Sequence, residues 1–271
     1  MFLADYHTHT CVSQDGHETM PDMALAAAKA GMNEMCVTDH CDMVDWREGK
    51  RTDAGRRVID SVIADWKAMM ETVPPPIPVR RGIELGEAQL FPEQAAEFAA
   101  VPGLDFVIGS LHILRDDGDF YAIKYRSNEH CYQLFDKYLD QSLEIAKLGF
   151  FDVMGHIGYG SRYMIHAGCD AKLDLWRYRD KIELLLKTVI QNGRGIELNT
   201  SGIRDGVGFF PNEPILRLYK ELGGEIITVG SDAHFTQNVG ENIMNGCELL
   251  KELGFGYVTT FKNRKPEFVK I

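Results

Sequence analysis

The sequence predicts an α/β fold in which seven strand-then-helix units close into a barrel. Three observations carry that expectation. Short apolar runs alternate with longer stretches of helical spacing along nearly the whole chain. The short runs are rich in Val, Ile, Phe and Met, as strands buried on both faces require. The chain has 271 residues, the size of one α/β barrel, so residues 1–271 are expected to form a single domain.

The elements follow in order. The first strand is expected over residues 2–6, where Phe2, Leu3 and Tyr6 precede a polar run. An alanine-rich helix over 22–30 stops before Gly31. A strand at 34–38 leads to a helix over 53–71, which ends ahead of Pro74, Pro75 and Pro76. The remaining pairs are strand 79–84 with helix 93–100, strand 105–110 with helix 128–148, and strand 151–154 with helix 173–192. Strand 195–199 with helix 214–222 and strand 225–230 with helix 239–253 complete the series. Gly149, Gly193, Gly223 and Gly254 stand where helices should end, as C-terminal capping favours. Repeated strand–helix units imply a parallel sheet with right-handed crossovers. An open doubly wound sheet is the competitor. It loses support because no Gly-x-Gly-x-x-Gly follows the first strand. Residues 256–271 read as one short strand and a basic tail, with "KNRK" at 262–265 solvated.

Composition excludes several classes of function. The formal net charge is −11, which argues against a general nucleic-acid surface, because phosphate backbones need Lys and Arg. An acidic chain can still hold a small phosphate where metal ions and a few arginines reverse the local field. Cys11, Cys36, Cys41, Cys131, Cys169 and Cys247 are scattered with no Cys-x-x-Cys pair, so iron–sulfur and structural-zinc readings are weak. Free thiols suit a reducing compartment. Asp5 and His7 fall where a signal peptide needs an apolar run, and no stretch approaches the roughly 20 apolar residues of a membrane span. A cytoplasmic protein with no membrane partner is expected.

The histidines are placed with a pattern. His7 and His9 follow the first strand in "DYHTHT", and His17 lies in the loop beyond. His40 follows the second strand in "CVTDHCD" and Glu84 closes the third in "RRGIELG". His112 follows the fourth in "VIGSLH" and His156 the fifth in "FDVMGH". Asp232 and His234 follow the seventh in "ITVGSDAH". The sixth, "GIELNTSG", ends without an obvious ligand. In a parallel barrel all these strand ends converge on one face, where such enzymes do their chemistry. A lone histidine at a strand end is more often a hydrogen-bonded loop residue than a ligand. The joint pattern outweighs that reading and implies a metal site. Imidazole and carboxylate together suit Zn, Mn or Fe and exclude a pure Ca or Mg cage. Nine candidate ligands exceed what one ion needs, so two or three ions are expected, with Glu84 able to bridge two. His130 falls inside a helix and reads as solvated. His166, near Arg162, is open between the mouth and solvent.

These segments resemble a known family. "DYHTHT", "TDH", "GIELG", "GSLH", "MGH" and "GSDAH" are similar to the signature segments of the PHP (polymerase and histidinol phosphatase) superfamily. "HIGYGSRY" at 156–163 and "ELNTSGIR" at 197–204 resemble its histidinol-phosphatase branch. The resemblance implies a distorted seven-stranded, TIM-like β/α barrel with three metal ions. It implies His7, His9, Glu84 and Asp232 for the first ion. The second would share Glu84 and add His112 and His156, and the third would take His17, His40 and His234. Arg162 and Arg204 match the arginines expected to hold the substrate phosphate. "IGYGS" after His156 departs from the more apolar run of the family.

The expected chemistry is hydrolysis of a small phosphate monoester, L-histidinol phosphate, as in histidine biosynthesis. This bond is among the slowest to break unaided, and metal ions acidify water while screening phosphate oxygens. A hydroxide bridging the first two ions would attack phosphorus, and Asp232, His234 or His166 would protonate the leaving alkoxide. Ser13, Ser110, Ser161, Ser201 and Ser231 lie near the mouth, but no Gly-x-Ser-x-Gly elbow supports a serine nucleophile. Asp15 and Asp39 read as outer partners that orient imidazoles. Trp46, Tyr159 and Tyr163 either pack on an imidazole-bearing substrate or cover the core edge. The alternatives are another phosphoester, such as a nucleotide or a nucleic-acid 3′ end, and a non-catalytic metal-binding scaffold. The intact ligand set counts against the scaffold.

Overall fold

Seven strands form one parallel sheet, each hydrogen-bonded to the next in chain order: β1 (Ala4–Thr8), β2 (Glu34–Asp42), β3 (Val79–Gly86), β4 (Phe106–Ser110), β5 (Val153–Met154), β6 (Gly195–Asn199) and β7 (Ile227–Gly230). The structure is a computed structural model that describes residues 1–45, 47, 49–174 and 176–271. The sheet closes where β1 meets the stretch after β7. There the His9 N–H donates to Ala233 O and the Asp232 N–H to His7 O, both at 2.8 Å. Closure is nearly complete, through a single bridge between Thr8 and Ala233. The barrel is distorted: β5 is two residues long, and the β1–β2 register shifts between Asp5 and Thr8.

Helices α1 (Met20–Lys29), α2 (Ala54–Thr72), α3 (Pro92–Ala99) and α4 (Asn128–Leu148) lie outside the first half of the barrel. The short α5 (Ser161–His166) and the longer α6 (Arg179–Gln191) follow β5. The short α7 (Ser201–Arg204), then α8 (Glu213–Glu221) and α9 (Ile243–Glu252), complete the ring. Period-2 alternation divides the strand side chains. Ile83, Leu85, Val107, Ile196 and Leu198 face outward into a core shared with Ile59, Val62, Leu185, Leu186 and Leu216 of the helices. Ala4, Tyr6, Cys36, Phe106, Ile108 and Val153 form a separate cluster with Phe261. Each such large apolar side chain contributes roughly 1.5–3 kcal/mol by leaving water. The four glycines expected to end helices all stand at positive φ. Among the described residues no helix is long and apolar enough to cross a membrane. The six cysteines are free thiols, four of them buried.

Four expectations need correction. β2 runs on to Asp42 because it stays paired with β3 as far as Gly86, so His40 lies within a strand. The helix expected from 173 begins only at Arg179. The helix expected from 239 begins at Ile243, because Asn242 takes a left-handed φ of 60° and Thr236–Asn238 forms a 3-10 turn. The basic tail is instead a hairpin, β8 (Tyr257–Lys262) with antiparallel β9 (Lys265–Lys270). Its turn is anchored, not solvated. Arg264 donates to Asp152 Oδ2, Ala99 O and Phe150 O at 2.5, 2.7 and 3.0 Å, and the Asn263 N–H reaches Asp105 Oδ1. The hairpin thereby seals the N-terminal end of the barrel.

Candidate metal centre

The C-terminal strand ends gather eight of the nine expected ligands around shared space. His7 and His9 sit at the end of β1, where the β1–β2 register shifts, and both are fully buried. Their Nε2 atoms face Glu84 Oε2 at 3.4 and 3.7 Å and Asp232 Oδ1 at 3.7 and 3.5 Å. Four donors on one ion with bonds near 2.0 Å stand roughly 3.3 Å apart, so these separations suit a single metal position. On the other side of Glu84, Oε1 lies 3.1 Å from His112 Nε2 and 2.8 Å from His156 Nε2, and the two rings are 3.3 Å apart at Nε2. His9, His40 and His234 form a further group whose ligand atoms lie within 4.8 Å of one another. Glu84 touches all sides of the cluster, as a bridging carboxylate must.

His7 Nε2, His9 Nε2, His40 Nδ1, Glu84 Oε2 and His234 Nε2 are buried without a hydrogen-bond partner. Burial opposes charge on Glu84, yet His7, His112 and His40 hold its carboxyl well below the usual range. Asp232 behaves alike: burial is overcome by His7, His9 and His234. Burial disfavours charge on His9, and His234 and His40 depress it further. His112 is pushed up to about 10 because Glu84, Glu87 and Asp42 overcome burial. Asp232 also sits at a left-handed φ of 55°, a conformation costing roughly 1–2 kcal/mol for a residue with a Cβ. It is held there from behind: Arg204 donates to Ser231 O at 2.9 Å and Asp232 O at 3.0 Å.

His17 is the exception among the nine. The loop after β1 folds back, with the Cys11 N–H on Glu18 O, and turns His17 outward to stack on Phe235 at 4.2 Å. Asp15, expected as an outer partner, takes its place, 3.6 Å from His40 Nε2 and 3.2 Å from His234 Nε2. Asp39 does act from outside: it accepts from Ser13 Oγ at 2.7 Å, and Ser13 Oγ lies 3.2 Å from His9 Nδ1.

The cluster opens into a cavity of about 410 Å³ whose lining includes Asp42, Asp119, Tyr121, Tyr159, Arg162 and Tyr163. Arg162 pairs with Asp205 at 2.5 Å and stays on the wall. Arg204 is not in that lining; its guanidinium is committed to the Asp232 turn. His166 ends α5 exposed to solvent rather than facing the mouth. His130 is half-buried in the first turn of α4, not solvated as expected. Trp46 lies outside the described residues.

The PHP domain model matches residues 5–201. The chain belongs to the PHP domain family. A protein of Thermotoga maritima named Probable histidinol-phosphatase is 28% identical over 94% of this chain and 94% of its own length. The Lactococcus lactis Histidinol-phosphatase is 25% identical over 96% and 95%. A crystal structure of histidinol phosphate phosphatase from Lactococcus lactis, complexed with zinc, L-histidinol and phosphate, superposes with a TM-score of 0.77 at 24% identity, covering 98% of each chain. That likeness establishes the barrel as the PHP fold.

The PHP centre also includes residues that sequence reasoning missed. Asp42 and Glu87 bring ligand atoms together with the expected His112. Glu87 accepts the His112 and Ile113 N–H groups at 2.8 and 3.2 Å, and burial with nearby Asp42 pushes its carboxyl up to about 8. Glu197, from the strand that seemed to lack a ligand, reaches His7 at 2.7 Å. A charge inside the apolar run "GIELN" was the available signal.

Proposed function

We propose that this PHP chain is a metal-dependent phosphoric monoester hydrolase acting on L-histidinol phosphate. One observation carries the reading: His40, Glu84, His112, His156, Asp232 and His234 line one cavity with Arg162, and His7 and His9 reach Glu84 and Asp232 from behind it. The relatives named above as histidinol-phosphatases, matched along nearly their full length, support the substrate. His7, His9, Glu84 and Asp232 would hold one divalent ion, and Glu84, His112 and His156 a second. His40 and His234, with Asp15, would hold a third, and Zn, Mn and Fe all suit this donor set. The chemistry that such ions supply when bound is acidification of water and neutralisation of phosphate charge. Arg162 on the cavity wall would pair with the phosphate dianion. Asp42 and Asp119 line the same cavity and would favour an ester that also carries an ammonium. Tyr159 and Tyr163 offer ring faces to its imidazole. Asp232, held ionised by its histidines, and His234, whose Nε2 would face an ion, are both poorly suited to give the leaving oxygen its proton.

Phosphate release from a panel of esters at fixed metal load tests the reading. The expected kcat/KM for L-histidinol phosphate exceeds that for any nucleoside monophosphate by at least about a hundredfold, ~2.7 kcal/mol in transition-state binding. Equal efficiency, or preference for nucleotides, would assign the same centre to a different phosphate ester.

A further inference from the structure

Glu197 belongs to none of the ligand groups, yet it contacts two ligand residues. It stands on β6 between Ile196 and Leu198, which pack in the outer core, so alternation turns it into the barrel. It is fully buried. Its Oε1 lies 2.7 Å from His7 Nδ1. Its Oε2 accepts the His156 backbone N–H at 2.8 Å and the Asn199 side-chain amide at 3.2 Å. Gly230 on β7 permits this approach: a Cβ there would lie 2.4 Å from both Glu197 Oε1 and His7 Cβ.

A neutral imidazole carries one proton on two nitrogens. An acceptor fixed at Nδ1 keeps the proton there and leaves the Nε2 lone pair free. His7 Nε2 is the atom that faces Glu84 and Asp232 without a partner of its own. We propose that Glu197 is a positioning residue that sets the His7 tautomer for a divalent cation and, through the His156 backbone, fixes a second ligand. This rests on the metal reading above.

The role demands a carboxylate. Three donors converge on two oxygens, and glutamine has only one acceptor oxygen. If that oxygen meets His7, the amide NH2 is turned against the His156 N–H and the Asn199 amide. If it meets those donors, the NH2 donates to His7 Nδ1 and drives the ring proton onto Nε2, the atom a metal needs. Outer partners of this kind typically carry a ten- to hundredfold effect on metal affinity.

The experiment is calorimetric titration of the full chain and of Glu197→Gln with Zn2+ alone, joined to nitrogen-15 histidine NMR of the zinc-loaded wild type. The expected result is a roughly ten- to hundredfold weaker affinity for the zinc equivalent that His7 would hold in Glu197→Gln, a smaller loss at the one His156 would hold, and partial recovery of both in Glu197→Asp. In the zinc-loaded wild type the His7 ring should carry its proton on Nδ1. A His7 proton on Nε2 there overturns the proposal even if the variant fails to fold. Wild-type affinity in folded Glu197→Gln overturns the role of Glu197 and leaves the metal reading standing. Failure of the wild type to bind zinc at all sinks both.

Discussion

The two ends of the barrel pair their buried carboxylates in different ways. At the N-terminal end, fully buried Asp152 takes Arg264 at 2.5 Å and the Val107 N–H at 2.9 Å. Arg264 gives two further N–H groups to backbone carbonyls. Asp105 accepts from Arg81 and from the Asn263 N–H of the hairpin turn. At the C-terminal end, His7 Nε2 and His9 Nε2 are as deeply buried and have no hydrogen-bond partner, and Glu84 Oε2 meets only imidazole nitrogens. An unpaired buried polar group costs roughly 1–3 kcal/mol. Several of them at one end are tolerable only where a ligand completes them. One end secures the fold, and the other holds binding capacity in reserve.

The sharpest way to break this division is Glu84→Gln. It removes the charge shared by every side of the cluster. We expect at least about a thousandfold loss in kcat/KM, ~4 kcal/mol, and less metal by elemental analysis. Activity near wild type would mean that Glu84 does not bridge.

Arg162→Ala should cost roughly ten- to a hundredfold in kcat/KM, the ~1.5–3 kcal/mol of a charge-assisted hydrogen bond, with metal content intact. Arg204→Ala should differ in kind: by releasing the Asp232 turn it lowers metal affinity as well. Steady-state kinetics beside metal analysis separates the two, and identical signatures would return Arg204 to the cavity.

Arg264→Ala tests the sealed end. It leaves Asp152 with weaker partners and should reduce unfolding free energy by roughly 1.5–3 kcal/mol. Denaturant melts would show this while kcat per folded molecule stays at the wild-type value. A change in metal binding would show that the ends are coupled.

A smaller effect distinguishes the ends by pH. In the metal-free chain the His112 pKa is raised to about 10 by Glu84, Glu87 and Asp42, against burial. A histidine raised above its unfolded value of ~6.5 contributes stability that is fully present below that value. The contribution is lost as pH rises through about 10. The melting temperature of the chelated chain should therefore fall across that window, and metal should flatten the fall by replacing the proton. At the sealed end, burial opposes but Arg81 and the Asn263 N–H hold Asp105 below its usual range. Its contribution is present above ~3.9 and is lost only as pH falls through the lowered value. A Glu84→Gln background that leaves the alkaline fall unchanged would disconnect it from the cluster.

The smallest expected effect is at His17. His17→Ala should leave zinc affinity within about threefold, ~0.65 kcal/mol, whereas Asp15→Asn weakens it by more. The reverse order would restore His17 to the third group.

The sequence by itself determined the parallel α/β barrel, because β-then-α alternation and a right-handed crossover leave few other topologies. It also determined which strand ends carry the cluster, because ligand residue types stand out against apolar strands. Tertiary structure alone decided the remainder. Whether His17 or Asp15 reaches His40 and His234 depends on how the loop after β1 folds back. Whether Arg204 faces phosphate or holds the Asp232 turn depends on carbonyls far along the chain. "KNRK" looks solvated until the hairpin brings Arg264 to Asp152, more than a hundred positions away. The pairing of Glu197 with His7 spans the closure of the barrel itself, through space that Gly230 leaves empty. Local pattern encodes residue type and periodicity, whereas hydrogen bonds between distant segments exist only once the chain has closed.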